Sequence, residues 1–199
     1  MSIRAGYRYI PTLPGTAVRQ VIIMIYANIP YAPDKTKNLG QAYNQFMTLL
    51  KDEDWACFID HDAMFTTIDW YDQLVHIIDK YQDAGMFTAK TNRVGNKKQL
   101  YKGKKSDNHD IVYHRRIGRK LQKKYYDIVS EVIPDSPVSG VVILIKKQVW
   151  NDYRFDNGFL AVDNKMCWKL IDAGKKVYIM EGIYVYHWYR GDGNRDHLK

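Results

Sequence analysis

The residues Asp60-His61-Asp62 hold the densest metal-binding chemistry in this 199-residue chain. Two carboxylates at i and i+2 offer hard oxygen donors to a divalent cation, and a histidine between them adds an imidazole nitrogen. The run Trp55-Ala56-Cys57-Phe58-Ile59 leads straight into them. It is short, mostly apolar and without helical spacing, which predicts a buried strand. Carboxylates that end such a strand fall at the carboxyl edge of a sheet, where open α/β sheets bind ligands. A turn that only caps the next helix is the simpler alternative. On extended backbone the middle side chain points away from its neighbours, so Asp60 and Asp62 are the expected ligands and His61 a packing residue.

Two distant residues extend this chemistry. His187 directly follows the apolar run Ile183-Tyr184-Val185-Tyr186, so it too is expected at a sheet edge, and imidazole is a good ligand for Mn²⁺. It opens the cluster His187-Trp188-Tyr189-Arg190, in which aromatic faces can pack on a base or sugar and Arg190 can pair with an anion. Asp163 follows a glycine-containing loop and starts a helical pattern. There it is either an acid stabilised by the helix dipole or a general base at the rim of a cleft. Thr91-Asn92-Arg93 ends a further expected strand, from which Asn92 or Arg93 would reach the hydroxyls of a bound sugar, unless this is a surface turn.

The elements that must position these groups follow from pattern. Gln20 to Asn28 is a continuous apolar run suited to a central parallel strand. Asn38, with Gln41 three positions on, is a capping box for a helix in which Leu39, Ala42, Tyr43, Phe46, Leu49 and Leu50 recur at helical spacing. Strand, helix and the Trp55–Ile59 strand form a βαβ unit. Thr66 to Asp69 caps a second helix with Trp70, Leu74, Ile77 and Ile78. A short strand at Met86–Ala89 follows, then a basic loop and a helix from about Asp110 to Val132. The run Val138 to Ile145 is an apolar strand, and Val162 to Ile171 a helix ended by Ala173-Gly174. Two strands then flank Glu181-Gly182. Residues 1–19 read as an extended lead-in and 188–199 as a flexible tail or lid. The expected fold class is α/β, one domain, with a mixed, mostly parallel sheet flanked by helices.

Composition limits the function. Hydrophobic residues are 46% of the chain and charged ones 26%, which is globular rather than disordered. No apolar core of a signal peptide opens the chain, and only Cys57 and Cys167 occur, so a reduced, cytoplasmic protein is expected. A net charge of +8 asks for an anionic partner. Eleven lysines and arginines stand between Lys97 and Lys124 against two aspartates. That stripe suits an anionic surface contact, or a nucleic-acid-binding module, although no recognition-helix, RNP or zinc pattern accompanies it. A metal-dependent phosphoesterase or nucleotidyltransferase is a second alternative, but such enzymes usually use more metal ligands than this chain offers.

The strand ending in Asp60-His61-Asp62 resembles the DxD motif of GT-A glycosyltransferases. The segment from Gly158 through Asp163 to Ala173-Gly174, with the strand ending at His187, is similar to the family 2 pattern, and the resemblance spans roughly residues 20–190. It implies a GT-A-like, Rossmann-like fold and a metal-dependent, inverting transferase. That enzyme would move a sugar from a UDP- or GDP-linked nucleotide donor to a glycan, lipid, protein or nucleic-acid acceptor. Asp62 and His187 would bind Mn²⁺ or Mg²⁺, Asp60 would contact the donor's ribose or sugar beside the metal, and Asp163 would deprotonate the acceptor. Ala27 and Asn28 would lie by the base and Lys37 near the nucleotide. There are two departures. Val162 stands where the pattern has its first acid, and one βαβ repeat of the usual nucleotide-binding half is missing.

Overall fold

The computed structural model describes residues 24–188, apart from positions 34, 36 and 135. The lead-in at 1–19, the first residues of the 20–28 run, Tyr189 and Arg190 therefore lie outside the described residues. The elements in chain order are β1 (Ile25–Asn28), α1 (Leu39–Met47), β2 (Trp55–Ile59), β3 (Ala63–Phe65), α2 (Trp70–Lys80), β4 (Ala84–Thr91), α3 (Ile111–Tyr125), β5 (Val129–Glu131), β6 (Val142–Lys146), α4 (Lys147–Asp152), α5 (Val162–Asp172) and β7 (Lys176–His187). They build one seven-stranded mixed sheet in the order β1-β2-β6-β4-β7-β3, with β5 added against β7. Strands β1, β2, β4 and β7 run one way, and β6, β3 and β5 run against them. Among the described residues no helix is long and apolar enough to cross a membrane.

The apolar runs alternate between two cores. Trp55 and Cys57 of β2, with Val142 and Leu144 of β6, meet Leu74, Ile77 and Ile78 of α2 on one face. Ala56, Phe58, Ile143 and Ile145 face the other way, onto Tyr43 and Met47 of α1 and Met166 and Leu170 of α5. A strand covered on both faces needs no polar side, which is why β2 and β6 read as unbroken hydrophobic runs. Asn38 caps α1 as the sequence predicts, its side-chain oxygen accepting from Gln41 N–H at 2.9 Å.

Several expectations are corrected. Among the described residues β1 is an edge strand rather than a central one, and Ala27 is exposed. The short β3 was not expected: three residues after an acidic turn carry too little pattern to announce a strand. Thr66 does not cap α2; its hydroxyl donates to Tyr184 O at 2.6 Å, and α2 begins after Asp69. Helix α3 stops at Tyr125, because the residues from Val129 pair with β7 instead.

The two strands expected around Glu181-Gly182 are one. Opposite β4, Ala89 pairs with Met180 and the next residue, Lys90, with Tyr184, so β7 carries three extra residues there. An odd insertion inverts the alternation of side chains. Val185 therefore faces the α2 core, Tyr184 faces α3, and His187 falls on the Val185 side. Gly182 makes the bulge feasible, since a Cβ there would lie 2.3 Å from Tyr125 O.

Close backbone contact also sets the loop before α5. A Cβ on Gly40 would lie 1.8 Å from Asp156 O, and Gly40 N–H donates to Gly158 O at 3.0 Å. Gly40→Ala is expected to destabilise the protein by ~1–3 kcal/mol through overpacking, although alanine is the better helix former. Urea denaturation measures this, and unchanged stability would show that the loop yields freely.

Candidate metal centre and cleft

The chain leaves β2 in a tight turn in which Ala63 N–H donates to Asp60 O at 3.0 Å. Three further contacts fix that turn. Asp60 N–H donates to Val141 O at 3.1 Å, Trp188 N–H donates to Asp62 O at 2.9 Å, and Ala63 pairs with His187 across β3 and β7. The acidic turn and the end of β7 are thus joined by backbone bonds, and three side chains converge. His187 Nε2 lies 3.3 Å from Asp62 Oδ1 and 3.8 Å from Asp60 Oδ2. One ligand atom from each of Asp60, Asp62 and His187 lies within 4.8 Å of the others.

This trio fits a divalent cation. His187 Nδ1 lies 2.9 Å from Arg93 O, and a carbonyl only accepts, so Nδ1 carries a proton. Nε2 donates to Asp62 when the ring is protonated and, when the ring is neutral, turns a lone pair towards an ion held by the carboxylates. Among the described residues neither carboxylate is paired with a lysine or arginine. Two carboxylate oxygens and one imidazole nitrogen suit Mn²⁺, with Mg²⁺ as the harder alternative. His61 is exposed rather than packed, because the backbone turns at this point instead of staying extended.

Protonation reflects the crowding. Burial, assisted by Asp62 and Asp163, pushes the Asp60 carboxyl up to about 6 against the opposing pull of His187. Burial alone would raise Asp62, but its hydrogen bond to His187 together with the charges of His187 and His61 outweighs this and holds it below the usual carboxylate range. Burial would lower His187, and its bonds to Asp62 and Arg93 O together with the charges of Asp62 and Asp60 reverse that, raising it above an ordinary imidazole.

Asp163 stands across the cleft, in the first turn of α5. Gly140 N–H donates to its Oδ2 at 2.6 Å, and a Cβ on Gly140 would lie 2.7 Å from Asp163 Cβ, so glycine is required there. Asp60, His187 and Asp163 line one cleft of about 340 Å³, closed by Tyr43 and Gly140 and edged by the exposed Phe159 and Leu160. That volume lies within the range of small-molecule sites. The Tyr43 phenol is raised far above its ordinary value by burial, then by the charges of Asp60 and Asp163. Sequence reasoning missed Tyr43, which reads as one more apolar position of α1.

Other expected site residues are placed elsewhere. Ala27, Asn28 and Lys37 are not among the residues lining the cleft, which α1 reaches through Leu39 and Tyr43. Asn92 is 2% exposed, and its amide is fully committed. Its nitrogen donates to His187 O at 3.0 Å and Ser106 O at 3.2 Å, while its oxygen accepts from His187 N–H at 2.8 Å and from the Thr91 hydroxyl at 3.4 Å. With two donors and two lone pairs used, none is left for a sugar, so the expectation of a sugar contact is corrected to a clamp on His187. The Arg93 guanidinium pairs with Asp107, and its carbonyl orients His187. Gln99 makes a second clamp, donating to Ser139 O and accepting from Ser139 N–H beside Gly140.

The mixed sheet between helices, with acids at its carboxyl edge, is a GT-A-like fold. The sequence matches no family model and no curated protein. Among solved structures it is similar to "Crystal structure of GalNAc-T7 with UDP, GalNAc and Mn2+", with a TM-score of 0.54 and 15% sequence identity. The match covers 82% of this chain and 32% of that one, so the chain spans about a third of the length of that protein. At this identity the likeness establishes the fold.

Two outcomes test the centre. Metal binding needs ionised Asp60 and neutral His187, so falling pH sets protons against the ion at both. Mn²⁺ affinity is expected to be highest above pH 7 and to fall by about tenfold or more per unit below pH 6. Calorimetric titration across pH 5.5–8 measures it, and a flat profile would place the ion elsewhere. Asn92→Ala removes its two hydrogen bonds to the N–H and C=O of His187, and is expected to cost about 1–3 kcal/mol of stability and to weaken Mn²⁺ binding ~10–100-fold. Denaturant melts separate the two effects.

Proposed function

We propose that the protein is a metal-dependent glycosyltransferase that moves a sugar from a nucleotide-diphosphate donor to an acceptor hydroxyl with inversion. The observation that carries this reading is the convergence, at one cleft of a GT-A-like fold, of the Asp60-Asp62-His187 cluster and Asp163. The UDP and Mn²⁺ in the GalNAc-T7 structure support a UDP-linked donor as the first to test.

In this mechanism Asp60, Asp62 and His187 would hold Mn²⁺ or Mg²⁺, which neutralises charge on the departing diphosphate. Asp60 also stands close enough to the cleft to meet the donor's ribose or sugar. Asp163, fixed at one carboxylate oxygen by Gly140 N–H, uses the other to accept the acceptor's proton. Such placed proton transfer contributes ~10²–10⁴-fold in rate. Tyr43 stays a neutral phenol below the two acids, so the cleft floor adds no charge. Ala27, Asn28 and Lys37, outside the cleft lining, and Arg190, outside the described residues, belong to this reading as expected donor-side contacts.

Thermal-shift measurements with UDP- and GDP-sugars, each with and without Mn²⁺, test it. Stabilisation that needs both nucleotide and metal, and is lost in Asp62→Ala, is expected. Asp163→Asn is expected to keep that stabilisation and to lose ~10²-fold or more of donor turnover. Normal turnover in Asp163→Asn would remove Asp163 as the base.

A further inference from the structure

The basic stretch 97–124 takes no part in the cleft chemistry, and the structure shows how unbalanced it is. Its eleven cations face two acids, more positive charge than the whole chain's +8. Both acids are occupied: Asp107 pairs with Arg93, and Asp110 caps α3 by accepting from Val112 N–H. Among the described residues none of the eleven is ion-paired. Helix α3 has no acid from Ile111 to Tyr125 and stacks like charges at i, i+4: Arg115 on Arg119, Arg116 on Lys120, Arg119 on Lys123, and Lys120 on Lys124. A solvated helix face normally mixes signs at this spacing, because like-charge pairs destabilise it. The inner face of α3, with Ile117 and Leu121, packs on Tyr184, so Arg116, Arg119, Lys120, Lys123 and Lys124 are held outward in a fixed array.

We infer that this array is a docking surface for an anionic lipid bilayer. Two observations favour lipid over nucleic acid. The aromatic side chains within the stretch, Tyr101 and Tyr113, are partly buried against Tyr184, and Tyr126, just past the end of α3, is the exposed ring there at 37%, so the array itself offers no ring platform to stacked bases. In their place the array ends in exposed aliphatic side chains, Val112 at 55% and Ile111 at 37% exposure. Cations that neutralise headgroups beside aliphatic groups that enter the acyl boundary are the chemistry of an interfacial helix. His114, in the first turn of α3, packs 4.5 Å from Tyr186, which faces the opposite side of β7 from His187. The inference does not depend on the reaction proposed above.

Vesicle co-sedimentation tests it, comparing phosphatidylcholine alone with phosphatidylcholine containing about one third phosphatidylserine. Binding is expected only to the second and should weaken with salt. Arg119→Glu with Lys123→Glu is expected to lower partitioning by about twentyfold or more, at roughly fivefold per cation. Lys51→Glu with Lys175→Glu, which changes net charge equally in the turns after α1 and α5, is expected to leave most binding intact. Val112→Ser, which removes the aliphatic group without changing the charge, is expected to weaken vesicle binding while sparing any oligonucleotide binding. All four positions of the paired variants are exposed, and circular dichroism melts confirm that each variant is folded. Equal loss in both pairs would reduce the effect to bulk charge. Binding to oligonucleotides without binding to vesicles, or to neither, would overturn the inference.

Discussion

The carboxyl edge of this sheet depends on the pairing of Ala63 with His187. Segments more than a hundred residues apart meet there, and the bond from Trp188 N–H to Asp62 O extends the pairing past the last residue of β7. Backbone bonds position the two ends more stiffly than side-chain contacts would, because each residue fixed by a ladder has little freedom left to lose. The geometry of Asp60, Asp62 and His187 is therefore a consequence of sheet register. It is decided earlier in β7, at the bulge opposite Ala89 and Lys90, where an odd number of extra residues selects the side on which His187 emerges.

Where strands end, backbone groups lose their ladder partners, and buried ones must find others. Here buried amide side chains take that role. Asn92 clamps His187, Gln99 clamps Ser139, and Asn96 donates to Ser136 O and Pro137 O. All three belong to the segment just after β4, so one short stretch ties the strand that ends at His187 to the loop that carries Gly140. Gly140 in turn holds Asp163. The two sides of the cleft share one polar frame, which a protein interior retains only when nearly every member is satisfied.

Much of this was legible in the residues. Continuous apolar runs betrayed strands buried on both faces, and the Asn38 cap and the helical spacing of Trp70 to Tyr81 located helices because those signals are local. The cluster of Asp60 and Asp62 with His187 was legible because each lies at the end of an apolar run. Information held in pairing was not legible. A bulge in β7 and two strands look alike around Glu181-Gly182, and β3 exists only because β7 is there to receive it. Asn92 illustrates the limit best. A polar residue after a strand suggests a ligand contact, and only the three-dimensional accounting of its four hydrogen-bonding positions shows that they are spent inside the protein.

Charge in this molecule is divided in a way that constrains what the cleft can hold. Asp62 and Asp163 both oppose the ionisation of Asp60 in a chain whose net charge is +8. Among the described residues no lysine or arginine pairs with the cluster. Six of the cations sit on α3, packed on the Tyr184 and Tyr186 side of β7, whereas His187 emerges on the other side, with the strand between. His187 is the cationic partner that reaches both carboxylates, and when it is neutral the cluster carries uncompensated negative charge. Burial makes that state costly, which is why Asp60 holds its proton up to about pH 6. Above that pH the proton leaves, and among the described residues no further cationic side chain is paired with the cluster, so a cation from solvent can take the proton's place. A divalent ion is favoured over a monovalent one, because it meets two carboxylates at once with twice the Coulomb attraction.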